Sequence, residues 1–202
     1  MSTPTHWDTA YAAGDTTRGW YQPQAVRSVD MLDQLGVETD ASIVDVGAGA
    51  SVLVDDLITL GFTDITCVDH SSVGLAIARE RLGAAADSVT WIEADLRTWS
   101  PPREYDVWHD RAVLHFLLDD ADIERYRATL LAGTHPGSVV IIGVFGPEGP
   151  QMCAGLPVRR YDVAMIDRLL GTEFERVSSS IADHVRPDGD TQQYLWTAAR
   201  RR

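Results

Sequence analysis

Cysteine is scarce in this sequence: Cys67 and Cys153 stand far apart, outside any C-x-x-C spacing. That spacing fits neither a disulfide scaffold nor a thiolate zinc site, so no metal is expected and a reducing, cytoplasmic compartment is. Positive charge is also in short supply. Lys and Arg number 17 against 30 Asp and Glu, a net charge of −13, and the basic runs at 159–160 and 200–202 form no stripe. Such a chain repels a phosphate backbone, and nucleic acid is not expected as a partner. Long apolar runs are missing as well. No stretch approaches the roughly 18 uncharged apolar residues of a membrane span, and the first residues carry no apolar signal core, so no membrane partner is expected either. Internal repeats and low-complexity segments are absent.

What the sequence does have is apolar content, 45% of 202 residues, enough for one sizeable core and a single domain. Short β-branched runs at 43–46, 65–68, 89–92, 107–108 and 139–144 alternate with amphipathic stretches at 52–60, 73–82, 123–131 and 164–170. Strand and helix taking turns imply an α/β fold, a mostly parallel sheet with helices on both faces. The chain closes with "EFERVSSSIA" and "TQQYLWTAAR", joined through "RPDGD", whose Pro187 and Gly189 suit the turn of an antiparallel hairpin. Two helical pieces, 6–13 and 24–35, precede the first core strand. The domain therefore divides into an N-terminal helical lid (1–40), a core (41–145) and a tail of loop, helix and hairpin (146–202).

The first core strand runs into "VDVGAGAS" and then a helix, which places free backbone N–H groups and a positive dipole end at the carboxyl edge of the sheet, where α/β folds bind ligands. The dinucleotide fingerprint needs a third glycine at the sixth position from Gly47, and Val52 stands there. No Lys-Ser or Lys-Thr follows, so a P-loop is excluded. Asp69 ends the second strand, where a carboxylate accepts both hydroxyls of a ribose, and His70 beside it lines the adenosine edge. Asp95 and Leu96 follow the third strand as a pair suited to an adenine, the carboxylate accepting from the exocyclic amine.

Together "VDVGAGAS", "CVDHSS", "EADL" and "YDVWHDRAVLHFL" resemble the successive motifs of class I S-adenosylmethionine-dependent methyltransferases over roughly residues 40–145. The resemblance implies a Rossmann-like, seven-stranded, mostly parallel sheet with an antiparallel last strand, and S-adenosyl-L-methionine as cofactor. It puts Asp45, Gly47 and Gly49 beside the methionine part of that cofactor, Asp69 on its ribose, and Asp95 with Leu96 around its adenine. Ser51 replaces the third glycine of many family members and is positioned to donate to the ligand's carboxylate; a similar serine occurs in a branch with protein-lysine methyltransferases. "HWDTAYAAGDTTRGWYQP" resembles the lid of small-molecule methyltransferases such as the thiopurine and halide-type enzymes. Trp7, Tyr11, Trp20 and Tyr21 would close over a sulfonium and exclude water, with Gln22 as a polar contact to the methionine tail.

Methyl transfer needs a nucleophile aligned behind the methyl group, and a base only where the nucleophile must shed a proton. His115 and His109 are the candidate bases, with Asp110 to orient one of them or to bind substrate. Arg159, Arg160 and Tyr161, in a long Gly- and Pro-rich loop at the ligand edge, are candidate contacts to an anionic group of the acceptor. Three functions follow: a methyltransferase acting on an N, O or S atom of a small molecule, a protein-lysine methyltransferase, or a non-catalytic cofactor-binding module.

Overall fold

The computed structural model describes residues 4–14 and 16–202; of the lid segment, residues 1–3 and 15 lie outside the described residues. Two helices, α1 (Pro4–Ala12) and α2 (Val26–Gln34), lead into β1 (Ser42–Val46), the first strand of the sheet. The succession is α3 (Leu53–Leu60), β2 (Asp64–Asp69), α4 (Ser72–Leu82), β3 (Val89–Glu93), β4 (Tyr105–Arg111), α5 (Asp120–Ala132) and β5 (Thr134–Phe145). A small hairpin, β6 (Met152–Cys153) and β7 (Leu156–Pro157), precedes α6 (Val163–Leu170), β8 (Phe174–Val185) and β9 (Thr191–Arg201). The long connection after β5 therefore folds on itself, turning through Ala154 and Gly155 at φ 52° and 76°.

The main sheet has seven strands in the order β3-β2-β1-β4-β5-β9-β8. The first five are parallel, and β9 runs antiparallel to both β5 and β8. Between β1 and β4 the chain reverses its direction of travel across the sheet, which opens a crevice at the carboxyl ends of those two strands. The β8–β9 turn closes as the sequence implies, with Gly189 at φ 90° donating to the Arg186 carbonyl at 2.9 Å.

Every residue of β1 is buried, as expected of a strand covered on both faces. Alternation at period 2 then sorts the side chains. Ile43, Ile65 and Val107 join the apolar layer under α2 and α3. Val44, Val46, Trp108 and Val140 join the layer under α5 and α6. By the same alternation and register Asp45, Asp69, His109 and Arg111 share the first face, and Asp110 falls on the second.

Candidate active site

The turn after β1 is shaped by two glycines in the left-handed region, Gly47 at φ 70° and Gly49 at φ 49°. A Cβ on Gly47 would lie 1.8 Å from a Val113 methyl, and one on Gly49 would lie 1.9 Å from the Tyr11 hydroxyl, so neither position admits a side chain without rebuilding the site. The turn spends its donors internally. Gly47 and Ala48 N–H both donate to the Val68 carbonyl, at 2.7 and 3.1 Å, and Ser51 N–H donates to the Ala48 carbonyl at 2.8 Å. The Gly49 N–H favours the ionised form of the Asp69 carboxyl, and the Ala50 N–H that of the Tyr11 hydroxyl. Three of the five N–H groups from Gly47 through Ser51 are thus spent on backbone carbonyls and are closed to a pyrophosphate. Ser51 lines the cleft with its hydroxyl accepting from Leu53 N–H at 3.1 Å.

The cleft beside this turn contains about 1140 Å³ of space free of protein atoms, its open mouth included. Asp69 lies in its wall, 9% exposed, with Oδ1 accepting from Ser71 N–H at 2.7 Å. Burial pushes its carboxyl up to about 7 against the hydrogen bonds that favour the charged form. His70, half-buried next to it, is lowered from the ordinary histidine range by the same desolvation. Asp95 and Leu96 line the cleft as well. Asp95 is already engaged by Arg97, whose backbone N–H and Nε each lie 2.9 Å from Oδ1, and that pairing holds its carboxyl below the usual range.

The lid arrives from outside the sheet. Trp7, Tyr11, Trp20, Tyr21 and Gln22 all line the cleft. Trp7 meets Trp20 and Phe116 edge-on, at 5.8 and 4.9 Å between ring centroids. Tyr11 also meets Trp20 edge-on, at 6.1 Å between ring centroids. Asp8, next to Trp7 in the lid segment, clasps α1 to the start of α4 by accepting from Ser71 Oγ at 2.7 Å and Val73 N–H at 3.3 Å.

The end of β4 departs most from the sequence expectations. His109 reaches the cleft, but both ring nitrogens are spent: Nδ1 lies 2.7 Å from Asp45 Oδ1 and Nε2 lies 2.8 Å from Ser28 Oγ. Asp110 points to the opposite face, where it accepts from Val113 N–H, Leu114 N–H and the Tyr126 hydroxyl. It is a fully buried structural anchor, away from the cleft lining. His115 is likewise outside that lining, packed against Phe116 and Phe145, with Nδ1 accepting from Phe145 N–H at 3.3 Å. Burial, with Arg111 as a lesser cause, lowers it to about 3, far from a useful base. The loop candidates are displaced too. Arg159 pairs with Asp120 and the Leu118 carbonyl, Arg160 is exposed, and Tyr161 is buried in the layer under α5 and α6.

In their place the fold brings Arg111, Phe116 and Cys153 into the cleft wall. Arg111 was legible by parity, since it stands two residues beyond His109 on the same strand. Cys153 and Ser28 come from distant segments, and no local pattern marks them. Burial raises the Cys153 thiol to about 12, which makes it a packing group and not a nucleophile.

Residues 43–137 match the family model described as a methyltransferase domain. Over 87 residues the chain is 28% identical to EEF1A lysine methyltransferase 2 of Mus musculus, covering 39% of this chain and 36% of that protein. It is 31% identical over 117 residues to trans-aconitate 2-methyltransferase of Azoarcus sp., covering 56% of this chain and 42% of that one. The chain thus spans less than half the length of these curated relatives. The structure superimposes on the 1,6-didemethyltoxoflavin-N1-methyltransferase of Burkholderia thailandensis, solved with its acceptor and S-adenosylhomocysteine, with a TM-score of 0.71 and 21% identity over 100% of this chain and 91% of that one. The chain thus carries a methyltransferase-domain match over residues 43–137, and its seven-stranded fold is shared with solved S-adenosylmethionine-dependent methyltransferase structures.

Proposed function

We propose that the protein transfers the methyl group of S-adenosyl-L-methionine to a nucleophilic N, O or S atom of a small molecule. The observation that carries this reading is the joint lining of one cleft by the closed glycine turn and the buried Asp69 carboxylate. A cofactor with hydroxyls to donate and no phosphate to bind fits such a wall. Asp69 would take the ribose, Leu96, His70 and the free lone pairs of Asp95 the adenine, and Gly47, Ser51, Trp20 and Gln22 the methionine tail. When bound, the cofactor supplies an activated methyl group on a sulfonium.

The chain's own contribution is alignment and dryness. Trp7, Tyr11, Trp20 and Phe116 form an aromatic wall that excludes water and favours a positive sulfur by cation–π attraction. The Asp45–His109–Ser28 chain holds the carboxyl ends of β1 and β4 at fixed spacing. With both His109 nitrogens engaged and His115 outside the cleft, catalysis rests on positioning, which alone supplies several kcal/mol. A second reading, protein-lysine methylation, is favoured by the similarity to EEF1A lysine methyltransferase 2.

Incubation with methyl-labelled S-adenosylmethionine and either a metabolite pool or a cell-protein extract separates the two. Label in the small-molecule fraction is the expected result, and label confined to protein would favour the lysine reading. Calorimetry should show micromolar binding of S-adenosylmethionine and S-adenosylhomocysteine and none of NAD. Tighter binding of NAD would overturn the assignment.

A further inference from the structure

The charges in the cleft are sorted by position. Asp45 is hydrogen-bonded to His109 and Asp95 is paired with Arg97, which leaves Asp69 at the end of β2 and Arg111 at the end of β4 as the carboxyl and the guanidinium of the lining with no ion pair and no hydrogen bond to another side chain among the described residues. Strand β1 lies between them in the sheet, so the two stand about two strand spacings, roughly 10 Å, apart. One end of the cleft therefore presents a carboxyl and the other a guanidinium.

Arg111 is half-buried and has no ion pair among the described residues. One Nη2–H donates to the Trp20 carbonyl at 3.0 Å, and the guanidinium sits over the Tyr194 ring, 5.5 Å from its centroid. Neither contact neutralises it. Cys153 and Phe116 complete the wall, and the buried Tyr194 hydroxyl has no hydrogen-bond partner among the described residues. The field of this cation reaches its neighbours: it adds to burial in lowering His184 to about 4 and His115 to about 3. A guanidinium carries five N–H donors in a planar fork that matches a carboxylate, so a single backbone acceptor leaves most of its donors available.

We propose that Arg111 fixes the acceptor class, holding a carboxylate or similarly planar anionic group of a small molecule at the β4 end of the cleft. This rests on the methyl-transfer reading given above and narrows it. Asp69, in the ionised form that the ribose hydroxyls favour, repels an anion from the other end, so the acceptor is oriented as well as selected. A lysine side chain would meet a like charge at the same place, which weighs against a protein-lysine acceptor.

The test uses a planar carboxylate and its neutral isostere, trans-cinnamate and trans-cinnamide, titrated by ligand-observed NMR into protein saturated with S-adenosylhomocysteine. Native protein should bind cinnamate at least tenfold more tightly than cinnamide. Arg111→Gln should bring the two within about twofold, and Arg111→Lys should restore part of the preference. Circular dichroism and the melting temperature establish that each variant is folded. S-adenosylhomocysteine should bind native and variant proteins alike. Equal affinity of native protein for the two probes, while S-adenosylhomocysteine binds, overturns the anion site and leaves the methyltransferase reading standing. A tenfold loss of S-adenosylhomocysteine affinity in Arg111→Gln also overturns it, because the guanidinium would then serve the cofactor's own carboxylate. Failure of native protein to bind S-adenosylhomocysteine overturns the methyltransferase reading, and this inference with it.

Discussion

His109 Nδ1 lies 2.7 Å from Asp45 Oδ1, across a register in which β1 and β4 place these two residues side by side. An ionised carboxylate only accepts, so Nδ1 carries a proton and donates to Asp45, while Ser28 Oγ lies 2.8 Å from Nε2. Removing one partner strands the other in a buried site. His109→Ala should cost about 3–5 kcal/mol of stability, read as a shift of the urea midpoint. A loss below about 1 kcal/mol would show the pair to be dispensable to the fold.

Asp69 couples cofactor binding to pH. Burial raises its folded carboxyl to about 7, above the unfolded value of about 3.9, so the stability it contributes is fully present below about pH 4 and is lost as pH rises through 7. Ribose hydroxyls donate to the ionised form and favour it. Affinity for S-adenosylhomocysteine should therefore fall as pH drops below 7, by up to about tenfold per unit. Calorimetry near pH 6 in buffers of different ionisation enthalpy should register proton release. Asp69→Ala should weaken binding by roughly 1.5–3 kcal/mol with the fold intact. A pH-independent affinity would place the ribose elsewhere.

His115 looks like a base in the sequence and behaves as a core residue in the fold. His115→Ala should destabilise the protein by about 2–4 kcal/mol through the cavity it leaves, with turnover per folded molecule close to native. Its folded value near 3 lies below the unfolded one, so its contribution is present above about pH 6.5 and is lost as pH falls toward 3. His184, lowered to about 4, acts in the same direction. His115→Phe should flatten the acid limb of a stability-against-pH curve. A 10²-fold fall in turnover of folded His115→Ala would return it to the chemistry.

Ala112 turns the chain out of β4 at φ 68°, a conformation that costs an L-residue about 1 kcal/mol or more. Asp110 holds it there by accepting from Val113 and Leu114 N–H. Ala112→Gly should raise stability by about 0.5–1 kcal/mol. Asp110→Ala should lower it by about 2–4 kcal/mol, since two backbone donors and the Tyr126 hydroxyl lose their acceptor in a buried site. Urea titration of both variants checks the opposite signs.

The order of strands and helices, the glycine turn and the carboxylates at strand ends were determined by the sequence itself, because each depends on periodicity or on a neighbour a few residues away. Gly47 and Gly49 announce a turn that no side chain fits, and Asp69 and Asp95 announce carboxylates at the sheet's ligand edge. Even the sorting of Arg111 to the cleft and Asp110 away from it follows from strand parity once β4 is granted. Tertiary structure decided which groups remained available. His109 is not free because Ser28 arrives from α2. The N–H groups of Gly47 and Ala48 are not free because the Val68 carbonyl reaches them from β2. Arg159 is drawn to Asp120 and the Leu118 carbonyl at the start of α5, and Tyr161 sinks into the layer beneath it. Hydrogen-bond capacity and desolvation are properties of where chains meet, and those meetings join residues far apart in the sequence.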